Sequence, residues 1–207
     1  MEAFVLPKAE LGNFVADLKK DEVEILGPVA KGDEYTFAPI DDVEVLCLDY
    51  DTTILPPAKK FIHMPGEVLF EFEGAVEGKE SAKVGKRVLF GVHACDLNGL
   101  LSLDKVFLDT YPDSYYKSRR DNTSIIALNC VNPCENGFCA SFNTGPSADL
   151  GFDLCLTDIG EKFIVEIGSE KGKELVTGLS AATNEDFVAR NRTLRAAQQQ
   201  ITRRIDA

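Results

Sequence analysis

The sequence predicts a mixed α/β fold: a central mixed sheet flanked by helices, with cysteine-bearing loops at strand ends and a long C-terminal helix. Three observations carry that prediction. Residues 86–92 and 124–129 are apolar almost throughout, the pattern of strands buried on both faces in mid-sheet. Between them Leu100, Leu101, Leu103 and Val106 recur at helical spacing. Residues 185–205 are rich in Arg, Gln and Ala and carry a thin stripe of Phe187, Val188, Leu194 and Ile201, which reads as a helix that docks on a neighbour.

The remaining elements follow in order. Leu11, Phe14, Val15 and Leu18 predict a short amphipathic helix over 7–20. Strands are expected over 23–26, 35–38 and 43–48, with Gly27-Pro28 and Lys31-Gly32-Asp33 punctuating the first pair as a hairpin-like turn. Three prolines, Pro56, Pro57 and Pro65, make 52–66 an irregular connection. Residues 68–73 alternate apolar and acidic, as a half-exposed strand does. Asp96 is a candidate cap for the helix after Cys95. A short helix is expected over 114–121, a hairpin pairing 154–157 with 163–167, and a helix from about Ser169. The chain divides on this reading into an α/β domain over 1–180 and a C-terminal helix, linker or docking segment over 181–207.

Bulk composition narrows the function. The chain has 207 residues, 44% hydrophobic and 27% charged, which fits a folded globular protein. A formal net charge of −12 argues against nucleic acid as a general partner, because phosphate binding needs clustered Lys and Arg. The start, Met1 to Pro7, lacks the basic residues and long apolar core of a signal peptide, and no apolar stretch is long enough to span a bilayer. A cytoplasmic protein is expected, in which six cysteines read as ligands or buried thiols rather than disulfides. His63 and His93 are the only histidines, so neither a histidine-built metal site nor a Ser/His/Asp arrangement can be argued. No G-x-G-x-x-G follows a strand, and Gly74 to Lys79 fails the phosphate-loop pattern by spacing and by lacking Ser or Thr after Lys79.

The cysteines hold the chemistry. Cys130, Cys134 and Cys139 form a C-x3-C-x4-C group directly after the second apolar run, and Cys95 follows the first. If those runs are neighbouring strands, their carboxyl ends bring Cys95 and Cys130 together at the edge where open α/β sheets bind ligands. Pro133 and Gly137 supply turns in the loop, whose backbone N–H groups can hydrogen-bond to sulfur. Thiolates gathered in this way suit a [4Fe-4S] cluster. Zinc is the alternative, although structural zinc usually shows two short C-x2-4-C pairs; unligated thiols are a third. Asp96 and His93 flank Cys95 as substitute ligands, against the plainer roles of helix cap and satisfied turn residue. Cys47 and Cys155 lie in apolar strand patterns and read as buried hydrophobes. Arg119-Arg120 reads as part of a surface salt bridge. A cysteine-dependent enzyme finds no obvious base beside its thiols.

Several segments together resemble a known family: Pro56 to Phe61, Gly91 to Leu97, Tyr111 to Tyr116 with Arg119-Arg120, Asn129 to Cys139, Thr144 to Pro146, and Gly151 to Leu154. They are similar to the iron–sulfur subunits related to the beta subunit of cytoplasmic NiFe hydrogenase/sulfur reductases (sulfhydrogenases). The corresponding component of anaerobic sulfite reductase and the iron–sulfur subunits of flavin-oxidoreductase/heterodisulfide-reductase complexes are relatives of that family. The resemblance covers most of 45–172. It implies an electron-transfer role rather than a catalytic one, relaying electrons between a flavin- or ferredoxin-bearing partner and a catalytic subunit. Implied partners are a flavin-binding reductase subunit, a hydrogenase, or a sulfite or heterodisulfide reductase. Family members typically continue into a two-cluster ferredoxin module with C-x2-C-x2-C-x3-C-P runs; this sequence has no such run.

Overall fold

A computed structural model describes residues 2–66, 68 and 84–205. Among them eight strands form one sheet: β1 (Ala3–Pro7), β2 (Glu24–Lys31), β3 (Glu34–Pro39), β4 (Arg87–His93), β5 (Thr123–Leu128), β6 (Leu154–Asp158), β7 (Lys162–Ile167) and β8 (Ser180–Ala181). Their order across the sheet is β3-β2-β4-β5-β6-β7-β1-β8. The central four, β2, β4, β5 and β6, run parallel, and the outer strands are antiparallel to their neighbours. The fold is thus the expected mixed α/β arrangement. The apolar runs are its middle strands β4 and β5, where Phe90 and Ile126 are fully buried.

The hairpin β2–β3 turns at Gly32-Asp33, since Lys31 pairs with Glu34. Gly27 and Pro28 lie inside β2 instead of in the turn. Pro28 is tolerated there because its backbone faces away from β3: its carbonyl accepts from Cys47 N at 2.8 Å, so its missing N–H costs no ladder bond. The strand expected over 43–48 is not one. The Asp42 side chain accepts from Glu44 N at 3.0 Å and closes a 3-10 turn at Val43–Val45. The first helix is shorter than expected, α1 (Leu11–Leu18), and follows the unforeseen strand β1. Apart from Val68, the strand expected over 68–73 lies outside the described residues.

Helices α2 (Ala94–Leu108) and α3 (Ser114–Asp121) pack on β4 and β5, and Phe14 of α1 meets Phe90 edge-on at 6.4 Å. Of the arginine pair, Arg120 makes the expected salt bridge from a half-buried position, whereas Arg119 is withdrawn from the surface. Arg119 is buried and its Nε donates to Ile62 O at 2.6 Å. Arg120 pairs with Asp104 at 3.1 Å, and Asp104 also accepts from the Tyr116 hydroxyl at 2.7 Å, locking α3 to α2. Beyond α4 (Glu170–Leu175), capped by Ser169, comes α5 (Asn184–Gln200).

Helix α5 packs on β6 and β7, with Ala197 buried on it and Ile201 buried just past its end. Arg190 reaches Glu166 Oε2 through Nε at 2.8 Å and Nη2 at 2.7 Å. At the other end Thr183 and Asp186 form a capping box, and Lys162 meets Asp186 at 2.7 Å. The Lys162 contact, and then the Thr183 N–H, hold the Asp186 carboxyl down at about 2. The unfolded carboxylate titrates near about 4. Its contribution is therefore present above pH ~4 and lost as pH falls through ~2. We expect Asp186→Asn to flatten the acid limb of the stability profile between those values, followed by urea unfolding. An unchanged limb would show that this ion pair does not anchor the helix.

Candidate metal centre

Strands β4 and β5 are parallel neighbours with His93 opposite Leu128. Cys95 and Cys130 therefore each stand two residues beyond paired positions, at the carboxyl edge of the sheet. Helix α2 begins at Ala94, so Cys95 and Asp96 occupy its first turn. The N-cap backbone belongs to His93, and Asp96 does not cap the helix as expected. It sits instead where a negative charge meets the positive end of the helix dipole, with burial raising its carboxyl to about 6.

His93 ends β4 instead of lying in a turn. It is buried and stacks flat on Tyr50, ring centroids 4.0 Å apart and planes within 2°. Burial lowers its imidazole to about 4, so the ring is neutral near pH 7. Tyr50, also buried, donates its hydroxyl to Gly91 O at 2.8 Å. Gly91 has φ +84 and marks a register shift in β4. A side chain there would be strained, and its Cβ would press to 3.1 Å from Leu48. Tyr50 thus pins the bulge through which the strand turns into the helix that carries Cys95.

Parallel strands need a long crossover. Between β5 and β6 that crossover is residues 129–153, which contain no α-helix and carry the other three thiols. Asn129 fixes its start. Its Nδ2 donates to Thr157 Oγ1 and its Oδ1 accepts from Ala148 N, both at 2.8 Å, and it is fully buried. Cys130 N donates to Pro146 O at 3.0 Å. Gly137 N donates to Cys134 O at 2.9 Å, closing the expected turn, and Thr144 N donates to Cys139 O at 3.0 Å. Gly145 slots between the two sides of the site: a Cβ on it would lie 3.0 Å from Cys139 Sγ and 3.8 Å from Ala94 Cβ.

The thiols sense one another. Cys95 is raised to about 12, first by burial, then by Asp96, Cys139 and Cys130. It keeps some surface open to solvent, although protein atoms crowd it on most sides. Cys130 is also raised to about 12, by burial and then by Cys134 and Cys139. Burial raises Cys139, and Cys134 adds to the shift. Opposing these, backbone N–H groups of Asp96, Asn132 and Ala140 point to the sulfurs of Cys95, Cys130 and Cys139. Cys95, Cys130, Cys134 and Cys139 thus each lie within electrostatic reach of at least one other of the four. Among the described residues no group of three or more His, Cys, Asp or Glu side chains is placed to hold a single metal ion. Cys155 lies buried in β6 as expected, and burial pushes its thiol far up; Cys47 is half-buried in the irregular stretch after the 3-10 turn.

Sequence reasoning missed Tyr50 and Gly145 as site-shaping residues, and saw Asn129 only as a neighbour of Cys130. Gly145 had a signal, its place in Thr144-Gly145-Pro146; Tyr50 had none, because its partners are remote in sequence. No helix among the described residues is long and apolar enough to cross a membrane.

No family profile matches the chain. Among curated proteins it is similar to the Sulfhydrogenase 2 subunit beta of Pyrococcus furiosus, 41% identical over 157 residues. The match takes in 76% of this chain and 46% of the relative, so the chain spans about half the length of the curated relative it matches.

Proposed function

The chain is related to the sulfhydrogenase beta-subunit family, and on that footing we propose that it is an electron-transfer component of a redox complex, holding one [4Fe-4S] cluster through Cys95, Cys130, Cys134 and Cys139. The observation that supports this reading is the placement of Cys95 and Cys130 just past the paired ends of β4 and β5, with Cys134 and Cys139 on the loop that follows Cys130. The donor set fits the group. Cys95, Cys130 and Cys139 are disfavoured as thiolates by burial and by repulsion from neighbouring thiols, and a cationic centre among them removes both penalties. The C-x3-C-x4-C spacing with one remote cysteine departs from the two short C-x2-4-C pairs usual for structural zinc, which favours a cluster over one zinc ion.

When bound, such a cluster supplies reversible one-electron chemistry. The protein's part is to hold and tune it. The N–H groups of Asp96, Asn132 and Ala140 would stabilise thiolate charge, and the first turn of α2 would add its dipole at Cys95. Tyr50 and the neutral ring of His93 wall the site off from the sheet side with uncharged surface.

Partners of the kinds noted above, a flavin- or ferredoxin-bearing donor and a catalytic subunit, follow from the kinship as part of this proposal, as does a cytoplasmic location. The α/β body over 1–180 would hold the cluster, with 181–207 as its docking segment. The test is anaerobic purification followed by iron and acid-labile sulfide analysis and low-temperature EPR of the reduced protein. About four irons and four sulfides per chain are expected. Zinc without sulfide would replace this reading with that of a zinc-stabilised docking module.

A further inference from the structure

Charge is unevenly distributed along the chain. From Phe187 to Ile205 there are five arginines and no acidic residue or lysine, in a protein whose net charge is −12. Arg190 is neutralised by Glu166. Arg192, Arg195, Arg203 and Arg204 are exposed, and no carboxylate among the described residues pairs with them.

This basic segment leads to the cysteine loop. After α5 ends, Arg203 Nη1 donates to Asn136 Oδ1 at 3.0 Å and Ile205 N donates to Ser141 Oγ at 2.9 Å. Asn136 and Ser141 bracket Cys139. On the same loop Phe138 and Phe142 leave 45% and 47% of their surface open, edge to face at 5.9 Å, and Ile205 beside them leaves 42% open. Exposed aromatic residues held together by a loop have no role in the core of this chain.

We propose that the apolar patch of Phe138, Phe142 and Ile205, flanked by Arg203 and Arg204 of the tail and continued by the exposed arginines of α5 that precede them in the chain, is the docking face for an acidic protein that presents its own redox centre. This rests on reading the four thiols as a cluster site. An apolar centre with a charged rim is the anatomy of a specific protein interface, in which aromatic residues and Arg are enriched. The rest of the surface carries the acidic excess and repels an anionic partner. The arginine segment, free of acidic residues over 187–205, attracts it, which favours encounter at the loop that carries Cys134 and Cys139. A nucleic acid is a poorer fit: the acidic body repels phosphate too, and the edge-to-face pair offers no flat stacking platform.

The test uses the purified protein and a small acidic bacterial ferredoxin as probe, with binding followed by calorimetry at low and high ionic strength. Wild type should bind at ~20 mM salt and weaken at least about tenfold at ~300 mM. The double variant Arg192→Glu/Arg195→Glu should weaken binding at least about tenfold at low salt, with iron content and EPR signal unchanged. Phe138→Ser/Phe142→Ser should weaken it while keeping the salt dependence. No binding by wild type, equal binding by the arginine variant, or displacement of the probe by a single-stranded oligonucleotide would overturn the proposal. Because binding is read apart from iron, a protein without iron that binds through these arginines would sink the cluster reading and leave the docking face standing.

Discussion

Cys130→Ser is expected to abolish retention of iron and the EPR signal of the reduced protein, whereas Cys155→Ser should leave both intact. The contrast follows from where two parallel strands put their sulfurs. Cys130 leaves β5 at the carboxyl edge and is electrostatically coupled to Cys134 and Cys139. Cys155 points into the packed core of β6, where its thiol is almost wholly excluded from water and no other cysteine adds to its shift. Serine is nearly isosteric with cysteine but a poor ligand for iron, so Cys130→Ser removes chemistry while leaving the chain folded. Circular dichroism and the urea midpoint should stay near wild type for iron-free Cys130→Ser. For Cys155→Ser the new hydroxyl should cost about 1–2 kcal/mol, because it is buried in apolar surroundings. Full iron content in Cys130→Ser would remove the site proposed above.

Much of this was legible in the sequence, for identifiable reasons. Strands β4 and β5 are buried on both faces, so their apolar runs need no partner to be recognised, and the residues just past them were already the candidate ligands. Short elements were less legible. Strand β1 has five residues, and its pairing with β7 is set by a partner more than 150 positions away. The segment 43–48 is apolar enough to read as a strand, yet one local bond from the Asp42 side chain turns it aside. The stack of Tyr50 on His93 and the close approach of Gly145 to Cys139 are contacts across the fold. Periodicity records which residues face a core; it does not record which loop the core will be closed by.

Asn129→Ala should be the most damaging single change that leaves every thiol in place, costing about 2–4 kcal/mol. The side chain is fully buried and serves two partners, the Ala148 N–H and the Thr157 hydroxyl. Truncation leaves both without their partner in a dry interior, at about 1–3 kcal/mol for each buried group left unsatisfied. Thr157→Val removes one partner only and should cost about half as much, with urea unfolding as the readout. The same bonds tie the first residue of the crossover to β6 and to the segment that holds Gly145 and Pro146, against which Cys130 donates its N–H. Loosening Asn129 therefore moves Cys130 relative to Cys139. Binding free energy of a metal centre adds to folding free energy, so the loss of stability should be larger in iron-loaded protein than in iron-free protein. Equal losses in the two forms would mean that Asn129 holds the sheet edge together without positioning the ligands.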